Sequence, residues 1–469
     1  VRRRSFFKAA GLGTLSAVTL TGMSPMDVRW IRPGDAGYAE AKLGYFPMYD
    51  HQRPSAIARV TSVADVQRCL EEARRSDSRI VARCGGHSYP GYSTADGALV
   101  VDVRGLNRIE IHPDGTADVD AGVLLIDLYQ ALASAGRMMP AGTCATVGIS
   151  GLTLGGGIGM TGRQMGLTCD RLIKATIVTP DGVHRVVSPT EHADLFWALR
   201  GGGGGNFGIV TRFTFRTEPA RTMTTFRLKF APAALPALLD AWPRWQARAP
   251  RAMTTSFGVG GGPDSSPSIH GCFIGTAAHA KPLIDDLVRR VGSQPTRRSE
   301  TEKTFLAAME EFAWCSIADR SCQPSWGGGG GGQPRGEYVA TSRMLFRPIS
   351  DPQALAELFR ATPNSYNMID AVGGAIADGP STAYPHRDAI GSIQVEVSLA
   401  AGETAARKAM GTARDELGRM FGETGYVNYL DPQMPNWQRT YYGRNLGRLK
   451  AVACRYDPDR VFAFPQGLA

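Results

Sequence analysis

Beyond its first 24 residues, no stretch of this chain reaches the roughly 18 consecutive apolar residues that a transmembrane helix needs, which argues against a stable membrane anchor. Metal-type spacing is missing too. The eight cysteines (Cys69, Cys84, Cys144, Cys169, Cys272, Cys315, Cys322 and Cys454) include no C-x-x-C pair, so they suggest neither a metal site nor a disulfide framework. Most read as buried thiols, and only Cys315 and Cys322 invite pairing. No H-E-x-x-H or P-loop pattern is present. Basic residues outnumber acidic ones 52 to 43, for a formal charge of +9. No basic stripe alternates with aromatics, however, and Arg2, Arg3, Arg4 and Lys8 place part of that excess in one N-terminal segment. The footprint of a nucleic-acid binder is therefore missing.

What is present fits a folded enzyme. The chain has 469 residues, 43% hydrophobic and 20% charged, and two or three domains are expected at about 100–200 residues each. Residues 1–35 read as a twin-arginine signal and linker. Arg3-Arg4-Ser5-Phe6-Phe7-Lys8 precedes a weak apolar run to Ser24, which predicts export to an extracytoplasmic, secreted location. Residues 50–219 read as one α+β unit, with short buried strands near Arg79–Arg83 and Ala98–Val103. It also has a helix over 123–135 and a hairpin about Pro180-Asp181-Gly182. Residues 220–422 alternate strands and helices, which predicts a mixed sheet with helices on one face. The run Gly327–Gly332 reads as a mobile surface loop, and residues 423–469 as a segment returning to the first domain. The fold class expected is α+β.

The 56 glycines cluster. Gly157-Ile158-Gly159-Met160-Thr161-Gly162 matches G-x-G-x-x-G, but a glycine-rich stretch precedes it where a Rossmann strand is required, so the match is coincidental. Three other segments carry the chemistry: Arg83-Cys84-Gly85-Gly86-His87-Ser88-Tyr89, Thr143-Cys144-Ala145-Thr146-Val147-Gly148 running on through Gly151, Gly155, Gly156 and Gly159, and Gly205-Asn206-Phe207-Gly208-Ile209. Glycine-rich turns let several N–H groups converge on a diphosphate without side chains in the way, and Ser88, Thr143 and Thr146 add hydroxyls. Taken singly, His87 also fits a loop histidine and Cys144 a buried filler.

Together these segments resemble the berberine-bridge-enzyme-like branch of the vanillyl-alcohol-oxidase flavoproteins, from about residue 50 to the C-terminus. The resemblance implies a two-part FAD-binding domain, a substrate domain, and FAD bonded through its 8α-methyl group to His87 and through ring carbon 6 to Cys144. It also implies that Tyr426-Val427-Asn428-Tyr429-Leu430-Asp431 supplies the catalytic base, Tyr429 with Tyr426 in reserve, and that Asn428 lies at the cofactor. That phenol would need nearby positive charge or hydrogen bonds to act at neutral pH. Ser392, Gln394 and Glu396 share a strand face, and the resemblance implies that this strand floors the substrate site, which makes Gln394 a substrate contact. Asp370 is a second one, although such aspartates more often sit in turns. Trp326 and Trp437 suit sugar stacking or the core. The chain departs from the resemblance at Met165-Gly166 and Val372-Gly373-Gly374, where relatives carry tyrosines, so a single oxidation is expected.

The activity so implied is removal of hydride from a secondary alcohol on a sugar, or on a glycosylated or polyketide natural product as in antibiotic biosynthesis. O2 would be reduced to H2O2. An oligosaccharide oxidase acting at the reducing end, a dehydrogenase with another acceptor, and a flavin carrier without turnover are the alternatives. Flavin held by covalent bonds survives denaturation: acid-precipitated and washed protein should give a yellow pellet, and a colourless one removes the covalent reading.

Overall fold

A computed structural model describes residues 28–468; the twin-arginine segment lies outside the described residues. A four-stranded sheet opens the chain: β1 (Arg29–Ile31), β2 (Ala56–Arg59), β3 (Ile80–Arg83) and β4 (Leu99–Asp102), in the order β1-β2-β4-β3. The last three run parallel, so Arg83 and Asp102 finish side by side. Their β-branched residues are buried on both faces, as parallel strands require. Helix α1 (Val63–Arg75) starts at a Ser62–Asp65 capping box and sends Val66, Cys69 and Leu70 into the core.

An antiparallel sheet follows, made of β5 (Ile109–Ile111), β6 (Thr116–Asp120), β7 (Leu172–Val178), β8 (His184–Val187) and β9 (Ile209–Arg216), in the order β5-β6-β9-β7-β8. Helices α2 (Leu125–Ser134) and α3 (Ile149–Leu154) flank the residue 142–148 turn. The tail adds Val427, Tyr441, Tyr442, Leu449 and Phe462 to the same apolar core.

The third sheet has seven strands: β10 (Met223–Lys229), β11 (Met253–Gly260), β12 (Ser268–Ile274), β13 (Arg297–Lys303), β14 (Tyr338–Leu345), β15 (Ser365–Ala371) and β16 (Gly391–Ser398), in the order β13-β10-β12-β11-β15-β16-β14. Every neighbouring pair is antiparallel, so the sheet is not mixed as expected. The reason is topological. Helix α4 (Leu235–Gln246) joins β10 to β11, which are parallel, but β12 sits between them. In the same way α6 (Pro352–Ala361) joins β14 to β15 across β16. Alternating strand and helix in the sequence reads as parallel neighbours, whereas a later strand has filled each gap.

Helices α4, α5 (Ala277–Val291), α6 and α7 (Glu403–Phe421) cover one face of this sheet. Leu238, Ile284, Phe359 and Leu417 pack there against Phe257, Ile269, Ile369 and Val395. The opposite face is polar and turns toward the first two sheets.

In the connection into β14 one reading is corrected in part, and the one cysteine pairing left open is made. The glycine run does lie at the surface beyond Gly327 but is tied down, because the Gly327 carbonyl accepts from Arg59 (2.9 Å) and Arg104 (2.9 Å), the Gly331 N–H donates to the Pro324 carbonyl (2.9 Å), and Trp326 before it is buried. Cys315 and Cys322 are joined as a disulfide.

Asp102 is fully buried and binds Arg83 (3.1 Å) and Arg104 (2.6 Å). Burial alone would raise its carboxyl pKa, but the two guanidiniums and their hydrogen bonds outweigh it and hold the group below the usual range. Removing one partner of a buried pair costs about 3–5 kcal/mol, so Asp102→Ala should lower the denaturation midpoint by that scale. Because the folded pKa lies below the unfolded value of about 3.9, the contribution is complete above that pH and fades as the pH falls through the folded pKa. A pH series of unfolding midpoints on wild type and variant should therefore converge in acid.

Candidate active site

The chemistry-bearing segments meet at one cleft of about 610 Å3, lined by side chains from Tyr45 to Phe464. That size lies within the ~300–1,000 Å3 of cofactor and ligand sites. Two glycines set its geometry. A Cβ on Gly85 would overlap the Thr146 carbonyl and the Gly148 nitrogen, and a Cβ on Gly148 would overlap the Cys84 side chain. The His87 and Cys144 segments are thus dovetailed backbone to backbone. Gly86 adopts φ 75° just before His87, a left-handed conformation that favours glycine.

His87 Nε2 lies 2.9 Å from Thr146 Oγ1, and its ring stacks on Tyr45 at 4.0 Å between centroids. Burial pushes its pKa down to about 3, so the imidazole is neutral at pH 7. With Nε2 engaged by Thr146, Nδ1 is the nitrogen left to bond elsewhere. Cys144 is exposed to the cleft while protein surrounds the cleft itself. Burial, then the nearby Glu396 and Asp370 carboxylates, lift its thiol to about 11.

The facing wall is the polar side of the seven-stranded sheet: Thr254 and Ser256 on β11, His270 on β12, Tyr338 on β14, Asp370 on β15, and Gln394 and Glu396 on β16. Gln394 Nε2 donates to Tyr89 (2.6 Å) and to Glu396 (3.1 Å). Burial and then Asp370 raise Glu396 to about 8, against a hydrogen bond from Tyr338. From the tail, Tyr429 stacks parallel to Tyr89 at 5.8 Å, and burial raises the pKa of the Asp370 carboxyl while the Tyr429 phenol beside it pulls the other way. Burial, then Asp370, raise its pKa well above 10.

Gly151, in the first turn of α3, faces the cleft with nothing within 4 Å of where a Cβ would stand, so that end of the helix leaves backbone open to a diphosphate. His87 is neutral and Cys144 faces the cleft. These residues fit FAD.

Residues 54–188 match the model of the FAD binding domain, and residues 425–469 that of berberine and berberine-like proteins. The FAD-linked oxidoreductase YgaK of Bacillus subtilis is 30% identical over 94% of this chain and 96% of its own length. The chain belongs to the berberine-bridge-enzyme-like FAD-linked oxidoreductases. The chitooligosaccharide oxidase of Gibberella zeae is 30% identical over 88% of this chain and 87% of that one. Among solved structures, the glucooligosaccharide oxidase of Acremonium strictum, described with 6-S-cysteinyl, 8α-N1-histidyl FAD, superposes with a TM-score of 0.85. It is 25% identical and covers 94% of this chain and 97% of its own. As a berberine-bridge-enzyme-like protein the chain is an FAD-linked oxidoreductase whose relatives include carbohydrate oxidases.

Most of the residues expected at the cofactor line the cleft, Asn428 included. Four do not. Gly155 lies under the Asn428 side chain and Gly156 under Tyr384; Asn206 bonds the Gly202 carbonyl and the Leu468 N–H; Phe207 is buried in the core. These positions hold the walls together from behind. Asp370 lies on a strand, not in a turn. No cation stands by Tyr429: among the described residues lining the cleft the only arginine is Arg83, which Asp102 holds, and there is no lysine. Trp326 and Trp437 do not line the cleft, whereas Trp314 and Tyr366 do. Tyr45, Tyr338 and His270 were not expected, since isolated aromatics in poorly patterned segments give no signal until the sheet brings them together.

Tyr426 is buried, and its oxygen takes N–H bonds from Gly157 (2.8 Å) and Ile158 (3.2 Å) and one from Asn428 (2.9 Å). It ties the tail to the glycine-rich loop. Tyr426→Phe leaves two buried N–H groups without an acceptor, so it should lower stability by about 1–3 kcal/mol in denaturant titrations; an unchanged midpoint would contradict that tie.

Proposed function

We propose that the protein is an FAD-linked sugar oxidase, with the flavin bonded to His87 and Cys144, that removes hydride from an alcohol carbon of an oligosaccharide and delivers the electrons to O2 as H2O2. The observation that carries this reading is the Tyr429–Asp370 pair on a polar sheet face that shares its cleft with His87 and Cys144. FAD, when bound, supplies the hydride acceptor.

The chain's own residues manage the proton. Tyr429 cannot rest as a phenolate, because burial and the Asp370 charge both oppose it. Beside Asp370, it can take the substrate's hydroxyl proton on its oxygen while passing its own to the carboxylate. Burial raises the Asp370 pKa, so that carboxylate accepts a proton more readily than an exposed one. This relay takes the place of the positive charge or hydrogen bonds that a phenolate base would need. Gln394, fixed between Tyr89 and Glu396, presents an amide that can position a sugar hydroxyl.

Two features favour an oligosaccharide over a polyketide alcohol. The wall is dense in hydroxyl, amide and carboxyl groups, and aromatic rings stand at its edge. Trp314 is 72% exposed with the Arg227 guanidinium 3.7 Å from its ring centroid, and Tyr366 is 41% exposed. Such faces suit further sugar rings. The Cys315–Cys322 disulfide supports twin-arginine export, since these bonds persist in oxidising compartments.

A peroxide assay over a panel of oligosaccharides and hydroxylated polyketides tests the reading, which expects peroxide with the saccharides; no turnover on any of them sinks it. Tyr429→Phe should keep both flavin bonds and slow flavin bleaching at saturating substrate by about 100- to 10,000-fold. Bleaching at the wild-type rate would take the base role from Tyr429.

A further inference from the structure

We propose that the strap from Cys315 to Gly336, which leaves the substrate-side sheet and returns to it at β14, is what sets the two flavin-attachment side chains in place: Trp326, with Tyr45, positions His87, and the Cys315–Cys322 disulfide underpins the Cys144 turn. The inference rests on the bicovalent reading above.

At its near end the strap closes on itself through the disulfide, and Cys322 is fully buried in a small apolar cluster with Ile126 and Ala145. Ala145 is the neighbour of Cys144, and Gln323 reaches past it to Asp127 on α2 (2.9 Å). Four residues on, Trp326 is buried with its indole N–H on the Gly85 carbonyl (3.4 Å) and its ring edge-on to His87 at 5.7 Å. The same ring meets Tyr45 edge-on at 5.3 Å, and Tyr45 stacks on the His87 ring at 4.0 Å. Tyr45 is itself held by the strap: the Gly336 N–H donates to its carbonyl (3.1 Å), and Arg335 grips the adjoining Gly44 carbonyl and Asp50.

An imidazole ring has two rotatable bonds and one useful orientation here. Thr146 fixes one nitrogen by a hydrogen bond, but a single bond leaves the ring free to rock. Tyr45 removes that freedom by stacking, and Trp326 blocks the edge. At the other attachment point a short turn carries Cys144, and its underside is apolar. Cys322 fills that space, and the disulfide keeps it from swinging out. One segment from the sugar-binding half therefore braces both bonds made in the FAD-binding half.

The test reads attachment, not turnover. Wild type, Trp326→Ala, Trp326→Phe and the double variant Cys315→Ser/Cys322→Ser are purified as holoproteins, denatured and digested, and flavin is quantified by mass on the His87 peptide and on the Cys144 peptide. Trp326→Ala should lose flavin from the His87 peptide and keep it on the Cys144 peptide, and Trp326→Phe should restore it. The double serine variant should show the reverse, a loss confined to the Cys144 peptide. Wild-type occupancy of both peptides in every variant overturns the proposal. So does a joint loss from both peptides that Trp326→Phe shares, which would mean the strap only stabilises the fold. A wild-type protein lacking one of the two bonds would refute the bicovalent reading itself, a failure seen before any variant is compared.

Discussion

Everything at the cleft depends on two backbones that approach closer than side chains permit. Gly85 and Gly148 face each other with no room for a Cβ on either. The contact fixes the segments bearing His87 and Cys144 relative to one another before any cofactor is considered. Methyl groups there would push the strands apart and break the His87–Thr146 hydrogen bond. Glycine loses more conformational entropy on folding than any other residue. The chain offsets that by closing both segments with buried interactions, Arg83 on Asp102 at one end and α3 at the other.

The electrostatics of the cleft follow from the same economy. Two carboxylates share its sheet wall, and among the described lining residues no free cation offsets them. Like charges in a common low-dielectric space cannot both ionise cheaply. Burial and then the Asp370 charge move Glu396 up to about 8, so it stays protonated at neutral pH, where it accepts from Gln394. Asp370 is left as the group that faces Tyr429. The division of roles comes from environment alone, since the two side chains differ by one methylene.

The FAD-binding half was legible because its function demands glycine, histidine and cysteine at set places, and such residues are visible one at a time. The substrate half was legible only in part. The alternation Ser392-Ile393-Gln394-Val395-Glu396 marked one strand with its two faces, and Ile393 and Val395 do enter the helix-covered core. Two other strands gave no such pattern. Arg297–Lys303 is an exposed edge strand of charged residues, and Ser365–Ala371 carries polar groups toward the cleft where a half-buried strand ordinarily meets water. Strand order was also hidden, because a gap filled later by β12 or β16 leaves no local trace. The glycine run misled for a related reason: low complexity describes the residues themselves, while Trp326 just before them decides where the segment lies.

The tail shows how a short motif can serve two ends. In Tyr426-Val427-Asn428-Tyr429 the first tyrosine gives its oxygen to the N–H groups of Gly157 and Ile158, and Asn428 donates to that oxygen and to the Leu152 carbonyl. Three of these hydrogen bonds thus lock Tyr426 and Asn428 onto the glycine-rich wall, and the fourth ties the two side chains to each other. Tyr429 comes next, with its backbone N–H on the Tyr426 carbonyl (2.8 Å), so its direction is set by the anchored turn. A phenol that must meet both Asp370 and a substrate hydroxyl tolerates little error in position. Placing it immediately after a backbone lock is the shortest way to remove that error. The anchor and the reactive tyrosine are therefore adjacent in sequence for a mechanical reason.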